Sequence, residues 1–296
     1  MKVIKPVTIG QAQLLSSNVP ENDAPAYDPN VNYALGSVVL YQGNVYQSVQ
    51  APNMGNPPNT SPLYWSLTGP SNRWAMFDDQ VSTRTVVDSP LTVIVKPGLV
   101  NSLALLELDA RRLEVTGRDG AGGPVIYEFE RSLEGSLVTN WYEYFFEPFS
   151  QVSEVVLTDL PAYGSLVLQV SIIAAGASVA CGSMILGSAY FLGEAEYGGS
   201  AGIQDFSRKD TSETGVTTFR ERRYSRRSSQ RLWVETGRFT AVYRLLSSLR
   251  ATPCVYIGAE SDDYGPLTIF GFYRDFSIDI AYPLMNFCNL EIEGLT

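Results

Sequence analysis

Carboxylates are the first candidates for chemistry in this chain. Acidic pairs stand at Asp78-Asp79, Glu194/Glu196, Asp262-Asp263 and Glu291/Glu293. Two carboxyls set about 5–10 Å apart across a sugar cleft can hydrolyse a glycosidic bond. None of the four pairs sits in a recognisable catalytic pattern, and adjacent Asp-Asp is common in turns. "DSPLTVIV" and "SDDYG" offer oxygen ligands as a calcium loop would, but their spacing matches no defined site. "GRDGAGGP" (117–124) is glycine-rich. It lacks the Gly-Lys-Ser/Thr ending of a phosphate loop and falls between strand patterns, so it reads as a hairpin loop. The chain contains no histidine. That removes Ser-His-Asp and Cys-His catalysis and His-ligated zinc or iron. The expectation is a protein with no catalytic residues, no metal and no cofactor.

Cys181, Cys254 and Cys288 are far apart, odd in number and set in apolar surroundings. They read as buried, reduced thiols rather than a disulfide framework, which places folding in a reducing compartment. The basic run "FRERRYSRRSSQR" (219–231) stands out against a net charge of −10. Arg220, Arg222, Arg223, Arg226, Arg227 and Arg231 could engage the acidic face of a neighbouring subunit, because guanidinium groups bind carboxylates in fixed geometry. A solvated face is one alternative, and contact with lipopolysaccharide phosphate or passing DNA is another. The acidic balance argues against nucleic-acid binding.

The elements that must position these residues are mainly β. The chain has 296 residues, of which 45% are hydrophobic, enough for two or three domains with real cores. Residues 1–25 carry few core-forming features and read as an extended arm that must lie on something else, such as a neighbouring subunit. Residues 26–70 give two short strands around Gln42-Gly43-Asn44, then a Pro/Asn/Gly loop ending on Trp65. Residues 71–175 present "TRTVVDS", "LTVIVKPG", "SLALLELDA", "RLEVTGRDG", "PVIYEFERSL", "YEYFFEPF", "EVVLTDL" and "SLVLQVSI" at hairpin spacing. That pattern predicts a β-sandwich of jelly-roll character. Residues 176–296 predict an α+β assembly domain. Its single helix carries Phe239, Val242, Leu245, Leu246 and Leu249 and is stopped by Pro253, with strands around it. The apolar stretch 165–193 is broken by Gln169, Ser171 and several Ser and Gly. It reads as strands and loop rather than a membrane span.

Tyr33, Gly36, Val39, Tyr41, Gly43 and Tyr46, followed by Pro57 and Trp65, resemble the small chitin-binding carbohydrate modules of chitinases and cellulases. The resemblance implies that glycines make tight turns, that aromatics fill the core, and that exposed rings after the second strand stack on sugars. The corresponding stretch here, "QSVQAPNMG", has Val49 and Gln50 and no aromatic pair. Tyr64, beside Trp65, is the best remaining ring for sugar contact, and Tyr27 is another. Tyr33, Tyr41, Tyr46 and Trp65 also read as core.

The order "VIKPVTI…LLSSNVPENDAPAY", the module, then "GPSNRWAMFDDQVSTRT" resembles bacteriophage tail or baseplate structural proteins that carry a carbohydrate-binding module. The resemblance implies a virion component near the tail tip, made in the host cytoplasm and present in several copies. Its implied partners are other tail proteins, copies of itself and host-surface polysaccharide, with no membrane insertion. The alternative is a secreted polysaccharide-binding or polysaccharide-active protein. The absence of a signal-peptide pattern, of histidine and of a catalytic motif argues against it.

Overall fold

The computed structural model describes residues 1–80, 83–135, 145, 150–176, 178–211 and 217–295, with backbone only at 135, 150 and 262–263. The fold is mainly β, with a single α-helix among the described residues and a curled antiparallel sheet. The expected strand "YEYFFEPF" lies outside the described residues apart from Phe145.

The main sheet has ten strands. In spatial order they run Val155–Leu157, Ser102–Leu106, Ser183–Phe191, Lys2–Pro6, Cys254–Ile257, Thr268–Asp279, Met285–Gly294 and Tyr224–Glu235. The last strand pairs on its far side with both Glu194–Ala195 and Ser200–Asp205. A five-stranded sheet runs Val125–Ser132, Arg112–Asp119, Leu166–Ile173, Leu91–Val95 and Leu14–Ser17. Alternation builds these strands: Arg112–Asp119 buries Leu113, Val115 and Gly117 and turns the residues between them outward, as a period of two requires.

The two sheets pack face to face. Leu103, Leu105, Met184 and Leu186 of the main sheet share one core with Val93, Leu113, Leu168 and Val170 of the smaller sheet. Further along the same face the helix Phe239–Ser248 covers the main sheet. It sets Val242, Leu246 and Leu249 against Leu232, Val234, Tyr256 and Leu290. The opposite face carries Ile4, Ala104, Leu106, Ile185, Val255 and Phe270. Strands with both faces buried read as continuous apolar runs, as in Ser102–Leu106.

The N-terminal segment differs from the expectation of an arm reaching to a neighbour. Lys2–Pro6 is an interior strand of its own chain, paired with Ser183–Phe191 on one side and Cys254–Ile257 on the other. Val3 and Ile4 are fully buried, one on each face of the sheet. Gly187 makes this possible, because a Cβ there would sit 2.2 Å from the Lys5 carbonyl oxygen. The sheet therefore runs without a break through residues on both sides of position 175. The apolar stretch 165–193 resolves into Leu166–Ile173, Ser178–Cys181 and Ser183–Phe191. No helix among the described residues is long and apolar enough to cross a membrane.

Candidate functional site

The module is a three-stranded sheet, Val38–Tyr41, Asn44–Ser48 and Trp65–Pro70. Gln42 and Gly43 both take positive φ, 50° and 80°, the backbone of a tight hairpin turn. A Cβ on Gly43 would also lie 2.7 Å from the Trp74 indole, so this turn packs on the segment that follows the module. So small a unit has little aliphatic core, and its rings supply the buried area. Val39, Tyr46 and Trp65 are buried, with Tyr27, Tyr33, Tyr41 and Tyr64 packed against them. Asn53 is fully buried and ties the loop to the sheet, donating through Nδ2 to Ser48 Oγ at 3.0 Å and accepting from Asn56 at Oδ1.

This packing decides what the three expected sugar-contact residues can do. Trp65 is only 3% exposed, and its indole N–H donates to the Asn56 carbonyl at 2.9 Å. As a sugar platform Trp65 is corrected to a core residue, because no face of the ring is open. Tyr27 is half-buried, stacked on Tyr33 at 5.8 Å and met edge-on by Tyr41 and Trp65. Tyr64 is half-buried in the same cluster. What the module exposes is aliphatic: Leu35, Met54, Leu63 and Leu67.

The six arginines divide into two groups. Arg226 reaches Glu154 at 2.5 Å, Arg227 lies 3.7 Å from Glu293, and Arg231 lies 3.5 Å from Glu196. These three are engaged within their own chain, so for them the expected contact with a neighbouring subunit's carboxylates is replaced by an internal one. Arg220, Arg222 and Arg223 are exposed. Among the described residues no carboxylate lies within ion-pair distance of them.

The Arg226–Glu154 pair has an architectural role. Arg226 belongs to the eighth strand in sheet order, while Glu154 immediately precedes the first. Their contact bridges the two ends of the curl. It also separates two clefts that share Glu154, Arg226 and Thr268, one of about 660 Å³ and one of about 310 Å³. Burial raises the Glu154 carboxyl above its ordinary range, and Arg226 pulls it back down. In the larger cleft Lys2 pairs with Glu260, and Tyr127 donates to Asp159 at 3.0 Å. Its charged groups are thus largely matched with one another.

Among the remaining candidates, those whose side chains are described take local structural roles. Asp78 accepts from Thr83 Oγ1 at 2.7 Å and from the Gln80 N–H at 3.0 Å, closing a turn. The Asp262 and Asp263 side chains lie outside the described residues. Residues 117–124 form the hairpin between Arg112–Asp119 and Val125–Ser132. The three cysteines are free and buried, and burial pushes Cys181 and Cys254 up to about 12 and Cys288 to about 11. Thiols held this far from ionisation are poor nucleophiles at neutral pH.

Two features escaped the sequence reading. Ser200–Asp205 pairs with the start of the long strand Tyr224–Glu235, and beyond it Arg208–Thr211 pairs with Thr217–Arg220. This hairpin runs off the sheet. From 206 to 223 every described residue is exposed except the half-buried Asp210. The second feature is a set of rings outside the module: Trp233, Tyr282 and Phe287 cluster on the main sheet. Adjacent aromatic and aliphatic letters in "RLWVE" look like one apolar run, and only the strand's parity separates them.

No family model matches this chain, and neither a curated protein nor a solved structure is significantly similar to it.

Proposed function

We propose that this chain is a non-enzymatic structural protein of a bacteriophage tail tip or baseplate, assembled in several copies, with its module as a host-glycan contact or a spacer. The observation that carries the assembly reading is the projecting hairpin. Two isolated strands are marginal in water, and this pair buries almost nothing of its own. Phe219 is 74% exposed. Between residues 206 and 223 stand five cationic and three acidic side chains, in a chain whose net charge is −10. A cationic arm on an acidic body is complementary to the body of a second copy.

The test is incorporation into particles. The triple variant Arg220→Ser, Arg222→Ser, Arg223→Ser removes three exposed charges that pair with no carboxylate among the described residues and leaves the internal pairs intact. The expected outcome is a folded chain missing from mature virions. Normal particle yield and composition with the variant present would reject the reading. The alternative, a secreted polysaccharide-binding protein, draws on the module's resemblance, and the module's rings are mostly consumed by its core.

A further inference from the structure

We infer that the uncovered face of the main sheet, around Trp233 and Tyr282, is a binding site for a neutral saccharide chain. In the strand Tyr224–Glu235, Leu232 and Val234 point toward the helix. Arg231 and Trp233 therefore point to the opposite side. Register places them in rows with the two neighbouring strands. Trp233 stands beside Phe287, which stands beside Asp279; Arg231 stands beside Asn289, which stands beside Ser277. One face thus presents rings next to an amide, a carboxylate and a guanidinium.

The rings are set for stacking. Phe287 is buried beneath the group, 4.3 Å from Trp233, with the Arg231 guanidinium over its ring at 3.8 Å. Tyr282 is 56% exposed and nearly parallel to Trp233, at 16° and a centroid distance of 6.5 Å. Its loop is tied down by hydrogen bonds from Tyr282 N to the Met285 carbonyl, and from Thr236 N and Oγ1 to the Leu284 and Pro283 carbonyls. An amphipathic ring held in this way meets the CH face of a pyranose without a large ordering cost.

The polar groups are oriented as well. Asn289 donates through Nδ2 to Asp279 Oδ2 at 2.9 Å and to Ser277 Oγ at 3.3 Å. That fixes its Oδ1 as an acceptor, and no donor among the described residues reaches it. Arg231 is steadied by Glu196 through Nε, and no hydrogen bond among the described residues occupies its Nη groups. An acceptor amide, a carboxylate and a forked donor on one face suit vicinal hydroxyls, each of which both donates and accepts. Ile280 and Leu284 flank Tyr282 and are exposed, so a protein partner is the competing occupant; the row of Arg231, Asn289, Ser277 and Asp279 beside the rings favours a hydroxyl-rich chain. The inference transfers the glycan contact of the proposed function from the module to the sheet. It does not depend on assembly.

The experiment is saturation-transfer NMR and calorimetric titration of the full chain with chitotetraose and with cellotetraose. Binding of at least one tetrasaccharide is expected. Tyr282→Ala and Asn289→Ala should each weaken it by about tenfold, while Tyr282→Phe and the module variant Tyr64→Ala should stay within about twofold. Thermal unfolding checks that each variant is folded, and Tyr282 is exposed enough for its replacement to be tolerated. The inference is overturned if neither tetrasaccharide binds. It is also overturned if Tyr64→Ala alone abolishes binding, which would return the contact to the module. A third contrary result is a Tyr282→Ala variant that alters sedimentation but not sugar binding, which would make the face a protein interface. Failure of the assembly reading would show in virion incorporation and leave these titrations unchanged.

Discussion

The module and the C-terminal end of the main sheet use the same residue types in opposite ways. In the module, Trp65 and its tyrosines turn inward and hold up a unit with few aliphatic core residues. In the sheet, aliphatic side chains and a helix already fill the core, so Trp233 and Tyr282 are left on the other face. A ring is free for recognition only where the fold can be stabilised without it. The arginines repeat the lesson. Arg226, Arg227 and Arg231 lie where the sheet brings carboxylates to them, while Arg220 on the hairpin, and Arg222 and Arg223 in the segment joining it to the sheet, have no carboxylate within ion-pair distance among the described residues.

The largest expected effect breaks the comparison at its inner half. Trp65→Ala should cost about 3–5 kcal/mol and unfold the module selectively. Limited proteolysis would then cut within 26–70 while the sandwich stays resistant. If cleavage of the variant matches the wild type, the module does not depend on its rings. Trp233→Ala, by contrast, should leave the module's protease resistance untouched.

The charged half of the comparison gives intermediate effects. Arg226→Ala strands the largely buried Glu154 carboxylate and should lower stability by about 1–2 kcal/mol in denaturant titrations, a figure reduced because Arg226 is partly exposed. Arg222→Ala should stay within about 0.5 kcal/mol. Equal losses from the two would erase the distinction between internal and outward arginines.

The smallest effect is one of pH. Burial lifts the Glu154 carboxyl above its ordinary 4.5. Between that value and the raised folded-state value, the folded chain holds a proton that the unfolded chain has released. This group's contribution to stability therefore falls as pH rises through that window. Glu154→Gln should remove that part of the slope, measured as the melting temperature against pH. Identical profiles for variant and wild type would contradict a shifted Glu154.

Much of the β architecture was legible because its strands alternate. Arg112–Asp119 carries its burial pattern in its letters, and the helix shows its 3.6-residue stripe at Val242, Leu246 and Leu249. Lys2–Pro6 was not legible. Val3 and Ile4 are both buried, which erases alternation, and the strand's partners lie more than 180 positions away. The projecting hairpin is exposed on both faces and so has no burial period to read. At the candidate site, the arginine run was visible as charge, but its division depended on Glu154, Glu196 and Glu293, which only the folded sheet brings near. Trp65 and Tyr64 are adjacent in sequence, but the strand begins at Trp65, which enters the core, and leaves Tyr64 at its edge.

In the proposed assembly the exposed cationic hairpin joins copies of this chain. Sedimentation velocity of the full chain tests it most directly. Oligomers are expected at about 50 mM salt and should dissociate at about 500 mM, because exposed charges are screened. The Arg220→Ser, Arg222→Ser, Arg223→Ser variant should be monomeric at both concentrations. A wild-type chain that stays monomeric at low salt, or a variant that associates as the wild type does, would contradict it.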